Sequence, residues 1–129
     1  DGVKLNNPVF NENGIIGRVI KVQKNSSEVL LINDAKSFLP VVSSQSKINF
    51  FINGNDKKLV VLHLDNKDNL IDGELILSTS SSGYFKEGIR VGFVKKQGEE
   101  TFIVPVAEKN DSVYVKVLIY EFEKIQPTF

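Results

Sequence analysis

The chain holds one histidine and no cysteine, and that scarcity bounds most of its possible chemistry at once. His63 sits in LVVLHLD, where alternation puts it on one strand face with Leu59, Val61 and Asp65. A His-x-Asp pair joined by Ser80, Ser81 or Ser82 would have the parts of a nucleophilic triad, but the sequence lacks the Gly-x-Ser-x-Gly elbow that presents a serine for attack. Without that elbow, a histidine inside an apolar strand reads as a structural residue. Metal chemistry has fewer parts still. With no thiolate ligands and no disulfides, what remains is Asp65, Asp68 and Asp72 in DNKDNLIDG. That loop superficially looks like a calcium loop of the D-x-[DN]-x-[DN]-G kind, yet glycine is missing from the sixth position and no helices flank it. Gly14-x-x-Gly17 lacks the lysine and the following helix of a phosphate cradle. Phe50, Phe51, Lys57 and Lys58 come nearest to a base-stacking platform, but alternation sends the two adjacent rings to opposite faces. The sequence therefore predicts no catalytic, cofactor-binding or metal-ligating residues, and a binding module is what remains.

The balance of charge narrows the partners of such a module. Sixteen Lys and Arg offset sixteen Asp and Glu, so nothing recommends nucleic acid or an anionic membrane surface. A hydrophobic share of 41% beside 25% charged residues is that of a folding chain. No stretch approaches the roughly 18 apolar residues that a membrane span needs, and the sequence as given reads as soluble.

The elements that must position these residues are strands, because period-two alternation runs through most of the chain. Val9–Phe10, Ile15–Val22 and Glu28–Asn33 open it, with Gly14 and Gly17 read as structural glycines that permit a barrel bend or a close backbone approach. DAKSF at 34–38 is the best candidate for a single helical turn. Leu39–Ser43 contains Pro40, which belongs on an edge or at a bulge because it cannot donate to a ladder. Lys47–Asn53 and Lys58–Asp65 form a hairpin whose turn signal is Asn53-Gly54. After the polar loop 66–73 come Glu74–Ser78 and a serine-rich loop. Ile89–Lys96, Thr101–Lys109 and Ser112–Glu123 then read as a three-strand meander. Nine or ten strands at this spacing predict an all-β fold. We expect two small packed β-barrel-like subdomains of mainly antiparallel strands, 1–46 and 47–129, dividing near Ser43–Ser46. The loop Ser78–Gly88 ends in the adjacent aromatics Tyr84 and Phe85, which cannot both point into one core and are the candidate protein-contact residues.

Several of these stretches, taken in order, resemble the rod shape-determining protein MreC family in its extracytoplasmic β region. They are DGV at the start, GIIGRV, NSSEVLLIND, the LPV that follows, and IDGELILSTSSSGYFKEGIRVGFV, whose Gly88 and Gly92 join the structural glycines. The sequence departs from the family pattern at Gly73-Glu74, where Gly-Asp is usual, and at Ser82-Gly83-Tyr84-Phe85-Lys86, where Gly-Gly-x-Phe-Pro is usual. The upstream coiled coil of the family is not in this sequence. The resemblance implies a non-enzymatic scaffold of the cell-elongation machinery that self-associates and engages the peptidoglycan transpeptidase, a penicillin-binding protein, together with other proteins of the elongation complex. It also implies a place on the extracytoplasmic face of the inner membrane, held there by an anchor upstream of Asp1. The family's β region has a layout similar to that of two-barrel serine proteases without their catalytic residues. A protease-like double barrel with hydrolase activity and an oligonucleotide-binding barrel are the alternatives.

Overall fold

The computed structural model describes residues 2–62, 64, 67–80 and 87–107, together with the backbone of 116–117. The chain opens with β1 (Pro8–Phe10), β2 (Ile15–Val22) and β3 (Ser27–Leu31), then crosses to β4 (Phe38–Ser43), β5 (Asn49–Asn55) and β6 (Lys58–Leu62). A single 3-10 turn at Lys67–Asn69 leads to β7 (Leu75–Ser78), β8 (Arg90–Gln97) and β9 (Glu100–Pro105), and β10 (Lys116–Val117) follows. The middle six strands close on themselves in the order β4-β5-β6-β9-β8-β7, every neighbouring pair antiparallel. The remaining described strands form an antiparallel sheet in the order β10-β1-β2-β3.

Alternation fills the barrel. Leu39, Val41, Phe50, Ile52, Leu59, Val61, Ile76, Val91, Val94 and Ile103 point inward and pack as one cluster. Ile15 from the sheet, Ile32 just after β3 and Leu70 from the polar loop join the same cluster, so the two units share one core. Pro40 lies one residue beyond the last β4–β7 pair, Val41–Ser78, where its missing N–H leaves no gap in the ladder. The inward hydroxyl of Ser43, fully buried, is satisfied by the Ser46 hydroxyl at 2.6 Å and by the Ile48 N–H at 2.8 Å.

The structure differs from the sequence expectation in four places, each for a local reason. Asn53 and Gly54 lie within β5, and the β5–β6 turn is made instead by Asp56 and Lys57, with Asp56 at φ 57°. The Asn53 amide is occupied elsewhere, donating to the carbonyls of Ala35 and Ser37 at 2.9 Å each, while the Asp56 N–H reaches Asn33. DAKSF is a bend and a turn that run into β4 and serve as the crossover rather than a helical turn, because β5 engages its carbonyls. The expected meander stops after β9: β10 leaves the barrel and pairs with β1, Val9 opposite Val117. Finally, the change from sheet to barrel falls between Leu31 and Phe38 and not at residue 46, which lies in the β4–β5 turn of the barrel.

Gly17 sits in β2 of the open sheet rather than in the barrel, opposite Val9 on one side and Leu31 on the other. A Cβ there would lie 2.3 Å from the Leu30 carbonyl oxygen and 2.9 Å from a Val29 methyl. Gly17→Val should therefore destabilise by about 1–3 kcal/mol through overpacking, read as a lowered denaturation midpoint with an unchanged m-value. An unchanged midpoint would show that β3 can move away at no cost.

Candidate interaction surfaces

The outward face of the barrel carries side chains that a soluble β-barrel ordinarily makes polar. Across β4, β5 and β6, Pro40, Phe51 and Leu62 stand directly opposite one another, and Phe38 lies two residues before Pro40 on the same face of β4. Phe38 is 56% exposed and Phe51 41%. A second row crosses β7, β8 and β9 as Leu75, Phe93 and Val104, again directly opposed, with Phe93 45% and Val104 41% exposed. Both rows set apolar side chains of three neighbouring strands side by side, an arrangement that stabilises a sheet face; Pro40 is buried and Leu62 and Leu75 half-buried, so the exposed apolar surface is that of Phe38, Phe51, Phe93 and Val104.

The second row arises from a bulge. In β8, Ile76 of β7 faces Gly92 while Leu77 faces Arg90, so Val91 is an extra residue and parity reverses after it. Val91 and Val94 both point inward, and Phe93 is turned out. Between the rows, on β6 and β9, Lys58 pairs with Glu100 at 3.0 Å and lies 4.6 Å above the Phe102 ring, which covers that ring. The basic and aromatic residues considered for base stacking are thus divided: Phe50 is interior, Phe51 is outward, and Lys58 is engaged with Glu100 and Phe102.

The end of the barrel away from the open sheet is closed by a buried carboxylate. Glu74, 1% exposed, accepts the N–H groups of Gln45 and Ser46 on Oε1, and the Ser46 hydroxyl and the Ile71 N–H, at 2.8 and 2.6 Å, on Oε2. One side chain so joins the β4–β5 turn, the polar loop and the start of β7. Burial alone would raise its pKa, but the N–H groups of Ile71, Ser46 and Gln45 and the Ser46 hydroxyl outweigh that and hold it below the ordinary 4.5. Reading Glu74 as the first residue of a strand missed this role. The signal available was a carboxylate beside Gly73 at the end of a polar loop, facing a serine-rich turn.

Of the other residues singled out in the sequence, Gly14 packs where sheet meets barrel, a Cβ there falling 2.5 Å from the Arg90 carbonyl oxygen and 2.4 Å from a Val106 methyl. Gly92 lies against β9, 2.4 Å from the Val104 carbonyl oxygen by the same measure, and Gly88 has φ 89°. Asp72 accepts the Lys96 N–H at 2.8 Å and the Asp68 carbonyl accepts the Lys96 ammonium at 3.2 Å, so both serve the loop's attachment to β8. Among the described residues no group of three His, Asp or Glu side chains could hold a metal ion. Tyr84, Phe85, His63, Asp65, Ser81 and Ser82 lie outside the described residues.

Known proteins share this arrangement of barrel and sheet. A family model described as rod shape-determining protein MreC, barrel core, matches residues 1–121. The cell shape-determining protein MreC of Caulobacter vibrioides is 28% identical over 122 residues, 93% of this chain, and the chain spans 35% of that relative's length. MreC from Pseudomonas aeruginosa superposes with a TM-score of 0.80 at 26% identity, covering 92% of this chain and 83% of that one. Two further structures share the fold: the major periplasmic domain from the cell shape-determining filament MreC, with a TM-score of 0.70 at 22% identity over 88% of this chain and 77% of that one, and the complex between penicillin-binding protein PBP2 and MreC from Helicobacter pylori, with 0.63 at 20% over 91% and 78%. Among the described residues no helix is long and apolar enough to cross a membrane. With the family model running across the sheet and the whole barrel, and the solved relatives repeating both, the chain belongs to the rod shape-determining MreC family.

Proposed function

We propose that this chain is the extracytoplasmic β region of a non-enzymatic scaffold that self-associates and binds the peptidoglycan transpeptidase of the cell-elongation machinery, so maintaining rod shape. The observation that carries the reading is the outer barrel wall, where Phe38, Phe51, Phe93 and Val104 are exposed. Exposed aromatics on a rigid frame are what anchors a protein interface, and a chain of zero net charge gains little from long-range steering. A family relative from Helicobacter pylori has been solved in complex with PBP2, which supports a transpeptidase as one partner. Control of wall synthesis is then spatial and conformational, with no bond made or broken by this chain. Attachment to the membrane comes from an anchor upstream of Asp1.

We put the transpeptidase contact on the loop joining β7 to β8, at Tyr84 and Phe85, because adjacent aromatics at the end of a polar run are residue types that anchor interfaces. Titrating the chain against the extracytoplasmic part of a rod-complex transpeptidase should give saturable binding that Tyr84→Ala and Phe85→Ala each weaken by about ten-fold, roughly 1.4 kcal/mol, without lowering the thermal midpoint. Normal binding by both variants would move the contact off this loop. Failure of the parent chain to bind would remove the transpeptidase as its partner.

A further inference from the structure

The barrel closes on itself, but the sheet ends in a free edge at β3, the last strand in the order β10-β1-β2-β3. The Ile32 N–H bonds to the Ile16 carbonyl at 2.9 Å, and Leu31, Leu30 and Val29 follow in register opposite Gly17, Arg18 and Val19. Ladder bonding alternates along an antiparallel pair, so Leu30 and Glu28 turn their peptide groups toward β2 while Leu31, Val29 and Ser27 turn theirs away. The bulge between Val19 and Lys21 lies on β2 and leaves the alternation on β3 intact. Asp34 donates its N–H to the Leu31 carbonyl at 3.0 Å, closing the row at that end. Both peptide groups of Ser27, both of Val29 and the N–H of Leu31 then remain as an outward row with no protein partner among the described residues. Proline and charge are what ordinarily guard such an edge. β3 has no proline, and its one charged residue, Glu28, stands opposite Lys21 inside the sheet.

The neighbouring side chains specify what this edge accepts. Val29 and Leu31 are half-buried on the face that carries Val19, so a strand laid alongside sets every second side chain against an apolar flank. The two ends of the edge are basic. Lys24 precedes the strand and Lys36 follows it, both exposed, and among the described residues no carboxylate pairs with either. The nearby Asp34 carboxylate accepts the Lys36 backbone N–H. We propose that the β3 edge docks an extended segment of another protein, apolar at alternate positions and acidic at its ends, which adds a strand to the sheet. Backbone bonding supplies the affinity, and the flanking lysines select the segment. The site uses none of the residues given to the transpeptidase contact and stands whether or not that contact exists.

The probe is a synthetic peptide of alternating valine and threonine with two aspartates at each end, titrated into the chain at low salt and followed by amide NMR. It should bind saturably, shift the Ser27, Val29 and Leu31 amides and slow their hydrogen exchange. A peptide with lysines in place of the aspartates should bind at least about ten-fold more weakly, and so should the acidic peptide to Lys24→Glu. Val29→Pro removes an outward N–H and no ladder bond, so it should melt near the parent's temperature while binding falls at least about ten-fold. Ser27→Pro does the same at the start of the strand and serves if Val29→Pro melts lower. A parent that does not bind the acidic peptide overturns the proposal, as does binding that persists unweakened in both proline variants. Equal binding of the acidic and basic peptides would remove the occupant named here. If the Ser27, Val29 and Leu31 amides are already protected in the free chain and lose that protection on dilution, the edge pairs with its own copy and the proposal fails.

Discussion

Gly54→Ala lowers the unfolding free energy by about 3 kcal/mol, the upper part of the range for overpacking a close-packed site. The hydrogen that Gly54 presents in β5 faces the crossover between sheet and barrel. A Cβ would lie 2.2 Å from the Asp34 carbonyl oxygen, 2.3 Å from the Asn33 carbonyl carbon and 2.6 Å from the Asp34 nitrogen. All three atoms are backbone, so no rotamer change relieves the overlap. The crossover cannot simply lift away, since the Asn53 amide, the Gly54 N–H and the Asp56 N–H all bond to it. Gly98→Ala makes the comparison. Gly98 has φ 63° with nothing within 4 Å of the added carbon, so that change costs only the left-handed backbone penalty, about 1 kcal/mol. Urea denaturation of the two variants beside the parent should separate them by about 2 kcal/mol. Equal losses would mean that the crossover is not locked to β5.

Glu74 gives the second large effect and a pH dependence. Replacing it by alanine leaves the N–H groups of Gln45, Ser46 and Ile71 and the Ser46 hydroxyl without their acceptor at the closed end of the barrel, at a cost of about 3 kcal/mol. Glu74→Gln keeps one acceptor oxygen and sets an amide NH₂ against the donors of the other, costing about 2 kcal/mol. The carboxyl's pKa is lowered in the folded chain relative to its ordinary 4.5. Its contribution is therefore complete above about pH 4.5, where the unfolded chain is also ionised, and is lost as the pH falls through the folded value. The parent and Glu74→Gln should differ most near neutral pH and converge in acid. Melting curves from pH 7 downward that keep a constant gap would show that Glu74 contributes nothing as an anion.

Much of this architecture was legible in the residues. The inward sets Phe50 with Ile52 and Leu59 with Val61 follow from alternation, and the adjacency of Phe50 and Phe51 already sent one ring outward. The order of short glycine and aliphatic motifs carried the family resemblance. What alternation could not supply is anything that depends on register with a distant strand. Phe93 reads as sharing a face with Val91, and only the bulge set by pairing with β7 turns it out. Asn53-Gly54 has the composition of a hairpin turn, but its use as a landing site for the crossover depends on residues 33–37 arriving there. Glu74 is marked only by its place beside Gly73 at the end of a polar loop, and its acceptor role depends on a turn 28 residues earlier.

The proposal that this chain acts by surface contact is tested most directly in rod-shaped cells whose own MreC has been replaced by this protein. Full-length protein carrying Phe38→Asp together with Phe93→Asp removes one ring from each outer wall and leaves the inward core residues in place. With the variant at the parent's level and its barrel melting at the parent's temperature, the expected result is rounded cells. Cells that remain rods of normal width on that double variant would contradict it.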